Sequence, residues 1–182
     1  MSDWDFFLEP YSNSPRGLIC ALHLSRVSDR LQFQFRLSGG RVRELVKSAA
    51  KGRALSAGTR RDELWKSTCF EFFLSEPDQT SYFELNLALN GDWNAYVFAD
   101  YRDGMRLAAG LSATPLQAVS SSDDSLELSG EIHLADFPLV GPVVLGATAV
   151  LEYQDGVKEY WALAHKGEKP DFHLRSSFVA TV

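Results

Sequence analysis

Two short segments concentrate the side chains of this chain that could do chemistry. Cys69-Phe-Glu-Phe-Phe-Leu74 holds Glu71 between Phe70 and Phe72, and Tyr82-Phe-Glu-Leu-Asn-Leu87 holds Glu84 between Phe83 and Leu85. Read as strands, they alternate their side chains between two faces, so Tyr82, Glu84 and Asn86 share one face. A hairpin turn near Pro77 would put Glu71 and Glu84 on the same sheet face, on neighbouring strands. Like charges across a strand pair repel unless a cation, a hydrogen bond or a ligand lies between them. Arg102, Arg60 or Arg61, or a histidine are candidates for that cation; the alternative is a solvated outer face. Trp65, Trp93, Tyr96, Tyr82 and Trp161 add aromatic rings. Flat rings stack on the apolar face of a pyranose, while carboxylates, amides and Arg take its hydroxyls. The expected ligand site is therefore Trp65, Glu71, Tyr82, Glu84, Asn86, Trp93, Tyr96 and Arg102. Trp65 and Trp93 would stack on the ring, with Trp93 exposed at the hairpin corner after Asn90-Gly-Asp92. Glu84, Asn86 and Arg102 would hydrogen-bond to it.

Other chemistries find less in the chain. The same two carboxylates could serve as an acid and base pair on a glycoside or lactone, which requires their pKa values to be split. Neither a GxSxG elbow nor a glycine-rich phosphate loop occurs. His165 and His173 are eight residues apart, a spacing that matches no common zinc motif. They are metal candidates only if the loop between them returns; otherwise they are hydrogen-bonded structural histidines. Calcium would draw on Asp100, Asp103 or the Asp123-Asp124 pair. Cys20 and Cys69 lie in no CxxC pair, and both read as small buried residues.

The elements that must position these residues are strands. Leu31-Gln-Phe-Gln-Phe-Arg-Leu37 alternates apolar and polar side chains throughout, one face in a core and one in water. Gly17 to Arg26 reads as its partner. Further strands are expected at about 69–75, 81–89, 93–99, 125–134, 143–152 and 158–164, separated by turn residues such as Asn90-Gly91 and Asp155-Gly156. Arg41 to Arg53 reads as a short helix or a basic loop, and Ala135-Asp-Phe137 as a single helical turn. Regularly spaced strands without alternating helices predict an all-β fold, an antiparallel β-sandwich or barrel. Exposed edge strands in such a fold leave a monomer or a homodimer open.

Length and charge narrow the class. The 182 residues fit one domain, and 45% hydrophobic with 23% charged residues is ordinary for a globular protein. The net charge of −6 argues against a nucleic-acid partner. Arg36 to Lys66 holds nine basic residues against three acidic ones, leaving nine against twenty-one elsewhere. That segment reads either as an anion-attracting rim or as a solvated loop. No apolar run reaches the length of a membrane span. The first ten residues carry acids where a signal peptide is apolar, so a cytoplasmic location is expected.

The same residues resemble a known group. Arg61-Asp-Glu-Leu-Trp65, Thr68-Cys-Phe-Glu-Phe-Phe73, Tyr82-Phe-Glu-Leu-Asn86 and Asp92-Trp-Asn-Ala-Tyr-Val-Phe98 resemble the DOMON-like group of bacterial proteins, related to family 9 carbohydrate-binding modules. Tyr160-Trp-Ala-Leu-Ala-His165, Lys169-Pro-Asp-Phe-His173 and Ser177-Phe178 are similar to the end of the same modules. The resemblance runs from the Leu31 strand to the C-terminus. It implies a two-sheet β-sandwich with a ligand site on one concave face or at the loop end. Such relatives bind sugar chain ends between aromatic side chains, often with structural calcium, or bind haem through axial Met and His. For haem, the pairings in this chain would be Met105 with His165 or His173. Taken together, the sequence points to a non-catalytic module for a carbohydrate or sugar-containing metabolite.

Overall fold

The computed structural model describes residues 2–14, 17–39, 42–49, 58–111 and 116–182. Its strands are β1 (Ser2–Pro10), β2 (Ile19–Val27), β3 (Arg30–Ser38), β4 (Cys69–Ser75), β5 (Tyr82–Ala88), β6 (Trp93–Phe98), β7 (Arg106–Leu107), β8 (Leu116–Ser121), β9 (Ser125–His133), β10 (Val144–Glu152), β11 (Lys158–Ala162) and β12 (Ala180–Thr181). One helix among the described residues, α1 (Val42–Ala49), and 3-10 turns at Leu64–Lys66, Leu134–Asp136 and Arg175–Ser177 complete them. The helix occupies part of the basic segment, whose residues 40, 41 and 50–57 lie outside the described ones. Val42 and Leu45 are its buried anchors to the core.

The strands form one hydrogen-bonded path folded over on itself, in the order β7-β6-β5-β4-β10-β11-β1-β2-β3-β9-β8, with β12 beside β10. The fold-over happens within β1. Ser2 to Leu8 pair with β2, whereas Glu9 and Pro10 pair with Ala162 and Trp161 of β11. A strand that changes sheets makes a corner of a sandwich, and Pro10, which has no N–H to give, sits at the strand's end. The result is the antiparallel two-layer β-sandwich that the alternation in β3 predicts.

The interior comes from the period of two. On β3, Leu31, Phe33, Phe35 and Leu37 are buried, while Gln32, Gln34 and Arg36 face water. Opposite them, Phe70 and Phe72 of β4 reach across the layers. Phe33 lies 5.1 Å from Phe72, and Phe35 lies 5.0 Å from Phe70 and 5.2 Å from Phe72, between ring centroids. On the wet side of the β1–β2–β3–β9–β8 layer, Arg30 pairs with Glu131 and Arg36 with Glu127. Such exposed pairs contribute only about 0–1 kcal/mol each, so the packed rings between the layers dominate.

The other layer departs from this pattern. Every residue of β4 is buried, on both faces, and β5 is nearly so. An antiparallel sheet usually leaves one face to solvent; here the outer face of β4 and β5 is covered by loops. No helix among the described residues is long and apolar enough to cross a membrane.

Truncating Phe35 should cost more than any exposed change, because its ring fills the interlayer contact. Phe35→Ala is expected to destabilise the fold by about 3–5 kcal/mol, read as a shift of the urea midpoint at unchanged slope.

Candidate functional site

The covered face is built by register. Glu71 stands opposite Asn86, and Phe73 opposite Glu84, so the residues singled out on β4 and β5 share one face. On β6, Asn94 pairs with Asn86 and Tyr96 with Glu84, which adds Asn94, Tyr96 and Phe98 to that face. Thr148 of β10 pairs with Glu71, and Val150 pairs with Tyr160 of β11.

The same register corrects the placement of Trp93. It pairs with Leu87, so its side chain points into the sandwich interior, where only 4% of it is accessible. The guanidinium of Arg60 lies over its ring at 4.6 Å. The hairpin corner suggested exposure, but parity from Asn94 and Tyr96 dictates the opposite face.

A cavity of about 330 Å³ lies on the covered face. Glu71, Glu84 and Val150 form its floor, and Trp65, Phe98, Tyr160 and Phe172 are its ring walls. Arg102, Met105, Pro170 and His173 complete the lining. Of the expected site residues, Trp65, Glu71, Glu84 and Arg102 line the cavity directly. Tyr82, Asn86 and Tyr96 lie beneath or beside it, fully or almost fully buried. A wider groove of about 940 Å³ runs past Arg106 and Leu107 of β7, and none of the expected site residues lines it.

Two aspartates tie the covering loops down. Asp62 accepts hydrogen bonds from the Tyr96 hydroxyl (2.8 Å) and the Asn94 amide (2.9 Å). This anchors the Arg61-Asp-Glu-Leu-Trp65 loop and sets the Trp65 ring edge-on to Tyr96 at 5.6 Å. Asp171 accepts from the Tyr101 hydroxyl, from Arg102 Nη2 (2.9 Å) and from the His173 N–H (3.1 Å). It thereby joins the 170–173 segment to the turn after β6. Burial acts to raise the Asp171 pKa, but these hydrogen bonds and the Arg102 charge outweigh it and hold it below the usual carboxylate range. Neither aspartate stood out in the sequence. Both lie inside quoted motifs, yet their side-chain partners are 32 to 70 residues away in the chain, which spacing cannot show.

Arg102 takes a left-handed backbone, φ 53°, and its N–H donates to the Tyr82 hydroxyl at 3.2 Å. That hydroxyl is 2.8 Å from His173 Nδ1. The arrangement that uses both protons has Tyr82 donating to Nδ1, leaving Nε2–H directed towards Glu84 Oε2 at 3.8 Å. Burial first, and the Arg102 charge second, lower the His173 pKa to about 4 against the pull of Asp171, so the ring is neutral at pH 7. His165 behaves differently: its Nε2–H donates to the Glu9 carbonyl at 2.9 Å, and it does not line the cavity. Met105 and His173 do. Asp100 and Asp103 are joined by backbone hydrogen bonds in the turn that carries Tyr101 and Arg102. Among the described residues no group of three His, Cys, Asp or Glu side chains is arranged to hold a metal ion.

The carboxyl pair sets the electrostatics. Glu71 is 2% accessible and accepts from the Thr148 hydroxyl through Oε2 at 2.9 Å. Glu84 is 4% accessible and accepts from the Asn86 amide through Oε1 at 2.6 Å. Asn86 in turn accepts from the Cys69 thiol at 3.4 Å, so both ends of its amide are occupied. Burial pushes both carboxyl pKa values well above the usual range, and for Glu71 the neighbouring Glu84 charge adds to it. Thr148, Asn86 and Arg102 pull back only in part. Burial, with Glu71 beside it, likewise keeps the Cys69 thiol protonated. The floor thus offers carboxyl groups able to donate as well as accept, beneath aromatic walls.

A pH dependence of stability follows. Both carboxyls bind protons more tightly folded than unfolded, so stability falls as pH rises from about 4.3 through their folded values. His173 acts in the opposite sense: stability rises from its folded value of about 4 to its unfolded value of 6.5, and no further. Between about pH 6.5 and about pH 8 the melting temperature is therefore expected to fall, and Glu71→Gln to flatten that slope. Circular-dichroism melts across the interval measure it; a wild-type melting temperature that rises there contradicts the assignment.

No family model matches the chain, and no curated protein matches it in sequence. Among solved structures, a Bacteroides uniformis ATCC 8492 protein designated a candidate carbohydrate-binding protein is similar at a TM-score of 0.66 and 14% identity. The match covers 97% of this chain and 84% of that one. A family 9 carbohydrate-binding module from Caldicellulosiruptor kristjanssonii, in complex with cellotriose, is similar at a TM-score of 0.48 and 8% identity, over 88% of this chain and 72% of that one. At these identities the likeness is one of fold: the first match shares the antiparallel β-sandwich described above.

Proposed function

We propose that the chain is a non-catalytic binding module whose ligand is a carbohydrate or a sugar-containing metabolite, held in the cavity over Glu71 and Glu84. The observation that carries this reading is the cavity's composition: ring walls from Trp65, Phe98, Tyr160 and Phe172 around a floor of hydrogen-bonding carboxyls. Its volume of about 330 Å³ lies at the lower end of the roughly 300–1,000 Å³ typical of small-molecule sites. A pyranose presents this combination in reverse, with an apolar face for a ring and hydroxyls at its edge. The similarity in fold to a protein designated a candidate carbohydrate-binding protein supports the same class.

The roles divide by position. Trp65 supplies the stacking surface, and Glu84, Glu71 and Arg102 the polar contacts. Asn86, Tyr82 and Tyr96 act one step back: Asn86 fixes Glu84, Tyr82 fixes His173, and Tyr96 fixes the Trp65 loop through Asp62. Binding rather than turnover is favoured by the similarity in fold to a protein designated a candidate for carbohydrate binding.

Thermal-shift titration against a panel of mono- and disaccharides tests the reading. At a hundredfold excess over Kd a bound sugar stabilises the fold by about 2.7 kcal/mol, a clear rise in melting temperature. Trp65→Ala is expected to weaken binding by about tenfold, the worth of one stacked ring. Trp93→Phe, on the opposite face, is expected to lower stability and leave affinity unchanged. A panel without a single shift, or full affinity in Trp65→Ala, contradicts the proposal.

A further inference from the structure

The cavity floor is short of positive charge. Each carboxyl spends one oxygen on a neutral donor, Glu71 Oε2 on Thr148 and Glu84 Oε1 on Asn86. Glu71 Oε1 and Glu84 Oε2 have no donor within hydrogen-bond distance among the described residues, the His173 Nε2–H facing Glu84 Oε2 only at 3.8 Å, although both side chains are more than nine-tenths buried. The ionisable groups beside them are Cys69, Tyr82, His173 and Arg102. Of these, only Arg102 carries a fixed positive charge, and it is committed to Asp171 at 2.9 Å. His173 is held neutral by burial and by the charge of Arg102, so it does not supply a cation either.

The walls favour a cation as well. Trp65, Phe98, Tyr160 and Phe172 turn aromatic surface towards the same space, and an ammonium group over such rings is attracted by their electron-rich faces, more strongly when water is excluded. Two buried acids with free oxygens beneath four rings therefore match a positively charged ligand group better than a hydroxyl.

Building on the carbohydrate reading, we infer that the ligand is an amino sugar with a free, protonated amine, seated between Glu71 Oε1 and Glu84 Oε2 while Trp65 packs on the ring. The amine donates to both oxygens; of the two carboxyls, both protonated in the empty site, one gives its proton to solvent and the other keeps its own, accepting through its free oxygen. The site would then hold a net neutral ammonium–carboxylate cluster, with charge-assisted hydrogen bonds in place of two unpaired acids. An N-acetylated sugar lacks the charge and adds bulk at the position where the floor is closest.

Isothermal calorimetry of D-glucosamine, D-glucose and N-acetyl-D-glucosamine with the intact protein tests this, at about pH 6.5, below the range in which aliphatic α-amines lose their proton. The expected result is glucosamine binding at least about tenfold tighter than the other two. Its apparent enthalpy should also depend on the ionisation enthalpy of the buffer, reporting release on the order of one proton per site. The near-isosteric double variant E71Q/E84Q, checked first for a cooperative melt, should lose both the preference and the proton release. The proton release is read on the wild type and needs no variant. Glucose binding as tightly as glucosamine, or glucosamine binding without proton release, overturns the amine inference and leaves the carbohydrate reading standing. Binding of none of the three overturns the amine inference, and failure of the wider sugar panel would take the carbohydrate reading with it.

Discussion

Burying two carboxyl groups on the outer face of a β-sheet is the constraint on which the rest of this structure depends. A sandwich needs only one buried face per sheet, and the layer containing β3 obeys that economy with Gln32, Gln34 and Arg36 in water. The layer containing β4 and β5 does not. Once Glu71 and Glu84 are covered, every polar neighbour has to be accounted for. The chain answers with Thr148 and Asn86 as donors to the carboxyls, and with Tyr82 holding His173 above them. The cover itself consists of loops, and loops carry backbone groups and little apolar surface of their own. They stay in place because Asp62 and Asp171 bind them to β6 and to the turn that follows it.

Two aromatic assemblies separate scaffold from site. One lies between the layers, where Phe33, Phe35, Phe70 and Phe72 meet ring to ring. The other lies on the outer face, where Tyr82 stacks on Phe98 at 4.8 Å and Phe178 packs on Phe73 at 5.5 Å. Gly146 makes the second possible. A Cβ there would stand 2.9 Å from the Phe178 ring, so only glycine lets the C-terminal segment lie flat on β10. The first assembly supplies stability, and the second shapes the wall that a ligand would meet. Because they share the backbone of β4 and β5, the site rests on rigid strands.

The sequence made the sheet faces legible and the loops illegible, for a physical reason. Alternation is local, so Tyr82, Glu84 and Asn86 share a face from their spacing alone, and a hairpin turn near Pro77 adds Glu71. The strands around them also emerged within a residue or two of their bounds. Trp93 is the exception: its turn context suggests exposure, while its parity with Asn94 and Tyr96 sets it on the inner face. β1 escaped notice since Ser2–Pro10 lacks clean alternation and serves two layers in succession, while β7 and β12 are two-residue strands that only partners can define. Asp62 and Asp171 escaped for a different reason: nothing local distinguishes a loop aspartate that anchors from one that is merely solvated.

The direct test of the account is the ionisation of the two carboxyls themselves. Carbon-detected NMR of protein labelled at the glutamate side-chain carboxyls, followed through a pH titration, reads each one separately. Two resonances, lost in Glu71→Gln and Glu84→Gln respectively, are expected to titrate well above the usual glutamate value of about 4.3. If every glutamate titrates within the ordinary carboxylate range, the outer face is open to water, and neither the covered floor nor the site built on it exists.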